Sequence, residues 1–279
     1  MSVSSIPDPD AFLRTDDVMR NLEGYSLRGG VATIVSQVLR FLIGIAATVM
    51  LARLLTPLDY GLIGMIGAIT GFLGIFKDLG LDSALIQRAH VTAEQISTLF
   101  WINAGMGLAL ALTTVAIAPG VAWFYGEPSL MWVTVVLAPP FLLGGIIVQH
   151  EALLRRQMRF VRLAALEIGS LLTASIVSIF LAWHQASYWA LVGGQIAAAL
   201  TRFLGLWMLV NWRPRLRTDF SGIRSMLAFG RNLTGFAFVN YFSRNLDNLL
   251  IGWSLVDQHL GFGILYHLLD DAGMLFHRP

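Results

Sequence analysis

The chain of 279 residues contains no cysteine, only one lysine and few charged residues of either sign. The absence of cysteine excludes disulfides, Cys-ligated zinc, iron–sulfur clusters and thiol catalysis. Charged residues make up 13% of the chain, against about a quarter of a soluble domain, and 56% of the residues are hydrophobic. So little charge cannot cover a surface that faces water. The composition therefore indicates an integral membrane protein.

Long stretches without charge indicate where the chain crosses the membrane. The longest of them, at residues 95–126, 128–150 and 168–201, contain no Asp, Glu, Lys or Arg. A helix needs about 20 mostly apolar residues to span the hydrocarbon core. The 168–201 stretch is too long for one helix and is divided by polar residues at 183–185. With a shorter charge-free run at 60–76 and two stretches interrupted by single arginines, we predict seven helices and the start of an eighth near Leu260. They are predicted at residues 31–53, 60–76, 98–124, 130–149, 163–182, 188–210 and 227–252.

The basic residues are concentrated in alternate loops. Of the 19 Lys and Arg residues, 13 lie in the N-terminal segment and in the 77–97, 150–162 and 211–226 loops. The loops between these contain none. Cytoplasmic loops of membrane proteins carry the excess of Lys and Arg. The sequence therefore predicts a multi-pass protein whose N-terminus is cytoplasmic.

Comparison of the chain with itself at an offset of 200 residues indicates an internal repeat. At this offset Gly30 aligns with Gly230, and Gly61 aligns with Gly261. Because six helices separate the two copies, both copies run in the same direction, as in a parallel repeat of six-helix halves. We therefore expect an all-α polytopic membrane protein with one six-helix lobe and the first one or two helices of a second parallel-repeat lobe.

Four segments follow from this organisation. They are a cytoplasmic N-terminal segment (1–30), the first transmembrane lobe (31–210), a cytoplasmic inter-lobe linker (211–226) and the start of the second lobe with an atypical tail (227–279). In the tail, Asp270 and Asp271 are adjacent where the repeat requires a spanning helix. Burying two acids in a membrane is costly. The tail is therefore expected to be that of a truncated product.

Three motifs connect the chain to a known family. The segment ARLLTPLDYG at 52–61 resembles the turn after the first helix of bacterial polysaccharide flippases, and DLGLDSALIQR at 78–88 resembles their loop after helix two. The segment NLDNLLIG at 245–252 resembles their helix-seven signature. The chain is thus similar to the O-antigen and lipid-linked oligosaccharide flippases of the multidrug/oligosaccharidyl-lipid/polysaccharide exporter superfamily. The tail after Gly261 departs from the pattern of this family.

The resemblance implies two six-helix lobes around a cavity in the bacterial inner membrane. It implies that the ligand is an undecaprenyl-diphosphate-linked oligosaccharide, flipped by alternating access for lipopolysaccharide or exopolysaccharide biosynthesis. The lipid bilayer is then the immediate partner, and a polysaccharide polymerase and chain-length proteins are candidate partners. The resemblance implies neither a cofactor nor a metal ion, and nothing in the sequence indicates an enzyme or nucleic-acid binding.

Candidate ligands of the diphosphate lie on predicted helices 1 and 7. Gln37 and Arg40 share one helical face, and Asn240 and Arg244 share a face of helix 7. The offset of 200 places Arg40 over Asn240, so the two faces are expected to border one cavity. Guanidinium is suited to a diphosphate because it stays charged and offers paired donors. The alternative is that Arg40 packs against a carboxylate or extends to the membrane surface.

Further candidates lie on helices 5, 6 and 7. Arg202 on helix 6 is a third candidate ligand of the substrate, and Asp247 could carry a coupling ion or pair with Arg244. Glu167 could also carry a coupling proton or cation, but because it is close to the start of helix 5 we expect it to pair on the Arg162 side. Glycines recur every three or four residues on helix 2 and are expected to permit close packing. They are Gly61, Gly64, Gly67, Gly71 and Gly74.

Other functions remain open at this point. A multidrug or cation antiporter of the same superfamily would carry a carboxylate-rich first lobe, whereas the deep charge here is mainly arginine. A truncated chain could be an inactive fragment. A lipid-modifying enzyme is a fourth interpretation, although no clustered His, Asp and Glu residues support it.

Overall fold

The computed structural model describes residues 22–77, 81–87 and 91–216, together with isolated helical positions between 227 and 240. The chain divides into two compact units, residues 1–234 and 235–279, and the first is described below. Its eight helices within these ranges are α1 (Leu22–Leu54), α2 (Pro57–Gly74), α3 (Leu81–Gln87), α4 (Ala93–Tyr125), α5 (Ser129–Val136), α6 (Pro139–Arg156), α7 (Phe160–Trp183) and α8 (Trp189–Leu209). No strand occurs in the part of the chain that the structure describes.

The helices confirm the predicted fold class. Six spans among the described residues are long and apolar enough to cross a membrane, with α5 and α6 together forming one of them. Large apolar side chains are exposed on the bundle, among them Ile176, Leu204 and Met208, which is 81% exposed. Such exposure is stable only in lipid, so the protein is a multi-pass membrane protein. The predicted second lobe lies outside the described residues, apart from the isolated positions.

The turn between α1 and α2 is held by a capping box. Thr56 accepts a hydrogen bond from the backbone of Asp59, whose carboxylate accepts from the backbone N–H of Thr56, and Pro57 occupies the first turn. This arrangement satisfies donors that a helix start leaves free. Ser187, in the turn between α7 and α8, donates to the same carboxylate. One buried Asp thus joins two turns at this end of the bundle.

The fourth span differs from its prediction. A single helix is predicted at 130–149, whereas the chain forms α5 and α6 with a break at Leu137 and Ala138. The break precedes Pro139 and Pro140, which have no N–H to continue a helix and restrict the residue before them. Beyond the break, α6 runs to Arg156, so Glu151 and Arg155 are helical rather than in a loop. The short helix α3 is also absent from the sequence-based prediction.

Close helix packing uses other glycines than those predicted. A Cβ atom on Gly107 of α4 would lie 2.8 Å from the carbonyl oxygen of Phe141 and 3.1 Å from Cα of Gly145 on α6. On α2, a Cβ on Gly61, Gly64, Gly67 or Gly74 would meet no atom within 4 Å in the described structure. Among the described residues, no helix packs closely on these four glycines, so the packing prediction is not confirmed for them. The spacing of the α2 glycines places them on one helical face, but it contains no information on which helix packs against that face.

The packing order of the helices positions the charged residues. Helix α1 packs mainly on α7, α7 on α8, and α6 on both α4 and α8. A buried apolar cluster joins α4, α6 and α8 at the end of the bundle where α6 and α8 terminate, and includes Phe100, Leu153 and Leu206. We call this end the basic end, because it carries Lys77, Arg155 and the 210–216 segment.

Candidate functional site

Two cavities lie next to each other and share Arg202 as a lining residue. The first, which we call the lateral cavity, has a volume of about 500 Å³ and lies between α1, α7 and α8. The second, the basic-end cavity, has about 150 Å³ and lies between α6, α8 and the end of α2. The lateral cavity is lined by Gln37, Arg40, Phe41, Glu167, Ser170, Leu171, Ala174, Ala198 and Arg202. Three of the predicted ligands, Gln37, Arg40 and Arg202, are thus brought together.

Arg40 forms an ion pair across the interface of α1 and α7. Its Nη1 atom donates to Oε2 of Glu167 at 2.6 Å, and the two side chains are 39% and 28% exposed. The expected pairing of Glu167 on the Arg162 side is wrong. Five residues separate Arg162 from Glu167, and at 3.6 residues per turn this places them about 140° apart around α7. Glu167 therefore faces α1, whereas Arg162 does not share that face.

Arg202 is held by a carboxylate that the sequence analysis missed. Its Nη2 atom donates to Oε2 of Glu151 at 2.7 Å, and Oε1 of the same carboxylate accepts from Arg155 Nη2 at 2.6 Å. Arg155 also lies 3.8 Å from Asp82 of α3. The signal for Glu151 was present, because Glu151 and Arg155 are four residues apart, as in a helical ion pair. It was overlooked because the predicted helix ended at residue 149.

The charges of the two cavities are nearly balanced. Among the described lining residues, the four cations Lys77, Arg40, Arg155 and Arg202 are opposed by the three acids Asp82, Glu151 and Glu167. The sequence-based view that the deep charge is mainly arginine is therefore incomplete. Arg40 and Arg202, the two arginines that line the lateral cavity, each have a carboxylate partner from another helix, as expected where charge is expensive to bury.

The remaining predicted ligands belong to the second unit or lie outside the described residues. Asn240 is helical and exposed. Arg244 and Asp247 lie outside the described residues, so their placement opposite Arg40 stays a prediction. Within the described ranges, no group of three or more His, Asp and Glu side chains has the arrangement of a metal site.

A buried aromatic group anchors the end of α8 below these cavities. His150 of α6 stacks on Trp207 with ring centroids 4.9 Å apart, and the Arg213 guanidinium lies 4.8 Å from the Trp207 ring. Arg213 donates to the carbonyl oxygens of Trp207 and Val210. The segment after α8 is therefore fixed against α6, next to Glu151. This cluster is a structural support for the site.

Comparison with known proteins places the chain in a family. The sequence profile of a family described as "Polysaccharide biosynthesis protein" matches residues 50–266, well over half of the chain. The chain belongs to this family. The resemblance inferred from the three sequence motifs is thereby confirmed. No solved structure is significantly similar to this polysaccharide biosynthesis protein.

Curated relatives match this family member over about half of their own length. It is 28% identical to the teichuronic acid biosynthesis protein TuaB of Bacillus subtilis, over 87% of this chain and 51% of the relative. It is 25% identical to the succinoglycan biosynthesis transport protein ExoT of Rhizobium meliloti, over 80% and 43%. It is 23% identical to the lipopolysaccharide biosynthesis protein WzxC of Escherichia coli, over 83% and 47%. The chain thus spans about half the length of the relatives it matches.

Proposed function

We propose that this chain is the first lobe of a transporter that flips a polyprenyl-diphosphate-linked oligosaccharide across the bacterial inner membrane. Family membership and a relative described as a transport protein support this proposal. The observation that carries it is the lateral cavity, where Arg40 and Arg202 lie on helices from opposite ends of the lobe sequence, within spanning segments. A membrane-embedded cavity with two guanidinium groups is suited to an anionic headgroup whose lipid tail stays in the bilayer.

The ion pairs of Arg40 and Arg202 leave donor groups with which an anion could form hydrogen bonds. Arg40 and Arg202 are 39% and 36% exposed, so both remain reachable from the cavity although each has a carboxylate partner. A guanidinium group has five N–H donors, and the hydrogen bond from Arg40 to Glu167 uses one of them. A diphosphate can add charge-assisted bonds to the remaining donors or displace the carboxylate. Gln37, one turn from Arg40, supplies an amide that can bond to sugar hydroxyls.

The second lobe is proposed to complete the cavity. Asn240 and Arg244 would provide the equivalent polar face, and Asp247 would pair with Arg244 or carry a coupling ion. Transport then alternates access between the lobes, and the N-terminus lies in the cytoplasm. The flipped product would be passed to a polymerase and chain-length proteins. In this proposal the chain transports its substrate and does not modify it.

The proposal is tested by transport in proteoliposomes with a fluorescent undecaprenyl-diphosphate-linked disaccharide. The wild-type protein should move the probe to the opposite leaflet, where a membrane-impermeant quencher reaches it. Arg40→Ala should lower the rate by about 10- to 100-fold, because a hydrogen bond to a charged group contributes about 1.5–3 kcal/mol. Arg40→Lys should retain part of the rate, since the charge remains but the paired donors do not.

The matched control is Arg53→Ala. Arg53 lies on the same helix as Arg40 and is exposed in the last turn of α1. The Arg53→Ala variant should transport at the wild-type rate. If Arg40→Ala were as active as this control, the proposed role of Arg40 would be wrong. If the protein moved a cationic dye and not the lipid-linked disaccharide, the antiporter function would replace the proposed one.

A further inference from the structure

We propose that the basic-end cavity is a separate phosphate-binding site, in which the carboxylate of Glu151 occupies the anion position until a phosphate group replaces it. This inference does not require that the chain transports an oligosaccharide. The phosphate can belong to a lipid headgroup or be free in solution, since both present the same oxygens.

The cavity has the size of a single small group. Its volume is about 150 Å³, comparable to a cavity that holds a benzene-sized ligand, roughly 150 Å³ in an engineered protein. A phosphate group fits such a volume, whereas an oligosaccharide does not. The lateral cavity, at about 500 Å³, is therefore distinct in the ligand it can hold, although Arg202 lines both.

Three cations from separate parts of the chain line the cavity. Lys77 follows α2, Arg155 belongs to the last turn of α6, and Arg202 lies on α8. Among the described lining residues, two acids oppose them, Asp82 and Glu151. Guanidinium and ammonium groups are the usual protein ligands of phosphate. The described lining therefore offers the kinds of donor groups that bind a phosphate.

Glu151 marks the position of the anion. Its side chain is only 14% exposed, and its two oxygens accept from Arg202 and Arg155 at 2.7 and 2.6 Å. Two guanidinium groups that converge on one carboxylate have the arrangement in which they would bind a phosphate. A phosphate group carries more charge and more acceptor oxygens than a carboxylate. It can therefore compete with Glu151 for the same donors.

Gly144 gives Lys77 its place in the cavity. A Cβ atom on Gly144 would lie 2.7 Å from Cδ and 3.4 Å from Cγ of Lys77. The aliphatic stem of Lys77 therefore crosses α6 at a position that has no side chain. Lys77 is also the only lysine of the chain. A large residue at position 144 would displace this cation from the cavity without altering the two arginines.

The experiment measures the binding of inorganic phosphate to the full chain in a phosphate-free maltoside detergent, by calorimetry. Glu151→Gln should tighten binding by about tenfold, because it removes the competing charge but keeps a side chain that can bond to the arginines. Lys77→Ala and Gly144→Leu should each weaken binding by about tenfold. If Glu151 had only a structural role, Glu151→Gln would bind phosphate with the same affinity as the wild type or with a lower one.

The controls use an ion pair at the same end of the bundle but outside the cavity. Arg215 lies 3.6 Å from Glu94, and both are more than 40% exposed. Glu94→Gln and Arg215→Ala should bind phosphate like the wild type. If Glu151→Gln does not bind more tightly than Glu94→Gln, the proposal is overturned. Should Glu151→Gln fail to fold, wild-type affinity in Lys77→Ala would overturn it equally.

A second arm distinguishes the source of the phosphate. The protein is placed in nanodiscs of phosphatidylcholine with or without phosphatidic acid, and bound lipid is identified by native mass spectrometry. Selective retention of phosphatidic acid by the wild type, and its loss in Lys77→Ala, would assign the site to a lipid headgroup. Binding in the calorimetric arm alone would assign it to free phosphate. Absence of binding in both arms would contradict the site, and phosphate binding without disaccharide transport would contradict only the proposed function.

Discussion

At the scale of single residues, the two arginines that line the lateral cavity are each paired with a carboxylate of a different helix. Arg40 pairs with Glu167 over 127 positions of sequence, and Arg202 pairs with Glu151 over 51. Removing one member of such a pair leaves a charge without its partner in a low-dielectric setting, which is more destabilising than removing both. The pairs therefore hold α1 to α7 and α8 to α6, in addition to lining the cavities.

A double-mutant cycle on Arg40 and Glu167 tests this arrangement. Arg40→Ala and Glu167→Ala should each lower the free energy of unfolding, and the double variant should lower it by less than their sum. We expect a coupling of about 1 kcal/mol, near the lower end for residues in contact, because both side chains are partly exposed and exposed pairs contribute little. Denaturant unfolding in detergent measures it. Additive effects would show that the pair does not stabilise the α1–α7 interface, and Arg53→Ala serves as the unpaired comparison.

The sequence predicts some of these residues well and their partners poorly. Arg40, Gln37 and Arg202 are identified because a polar side chain inside an apolar span is itself unusual. Glu151 escapes because the charge-free stretch ends at His150, whereas α6 continues to Arg156, seven residues beyond the predicted helix end. The pairing of Arg40 with Glu167 depends on which faces of α1 and α7 meet, and helical periodicity contains no information on that choice.

At the scale of elements, charge-free stretches predict the six spans because a membrane imposes a minimum apolar length. Which helices approach each other closely is set by backbone contacts that only the structure reveals. At the α4–α6 interface, Gly107 and Gly145 bring the two backbones together. On α2, the described glycines lie against open space. The same residue type therefore has opposite roles on α4 and α2.

Alanine substitutions distinguish these two roles. Gly107→Ala places a methyl group against a backbone carbonyl that cannot rotate away, and overpacking of this kind typically lowers stability by about 1–3 kcal/mol. Gly64→Ala adds a methyl group in open space, and a helical Gly→Ala change typically stabilises by roughly 0.5–1 kcal/mol. Thermal unfolding of both variants in one detergent should thus give shifts of opposite sign. A destabilising Gly64→Ala would show that the α2 face is packed in the whole protein.

At the scale of the whole molecule, the distribution of basic residues and the position of the cavities are linked. The basic-end cavity lies at the end of the bundle that carries the arginine-rich segments. The lateral cavity shares Arg202 with it and lies further from this end, along α1, α7 and α8. If this end faces the cytoplasm, as the excess of Lys and Arg predicts, an anionic ligand made in the cytoplasm meets the basic-end cavity before the lateral one. The orientation of the lobe therefore decides in which order the two cavities can be filled.

Because the chain contains no cysteine, single cysteines can report that orientation without background. His184, in the turn between α7 and α8, is exposed, and Glu94, at the start of α4 and so at the opposite end of the bundle, has a side chain that is 42% exposed. In spheroplasts, whose inner membrane is intact, a membrane-impermeant maleimide should label His184→Cys and not Glu94→Cys. Permeabilisation should make both reactive, which controls for accessibility. The reverse pattern would place the basic end outside the cytoplasm, and the lateral cavity could then receive a ligand only from the opposite side.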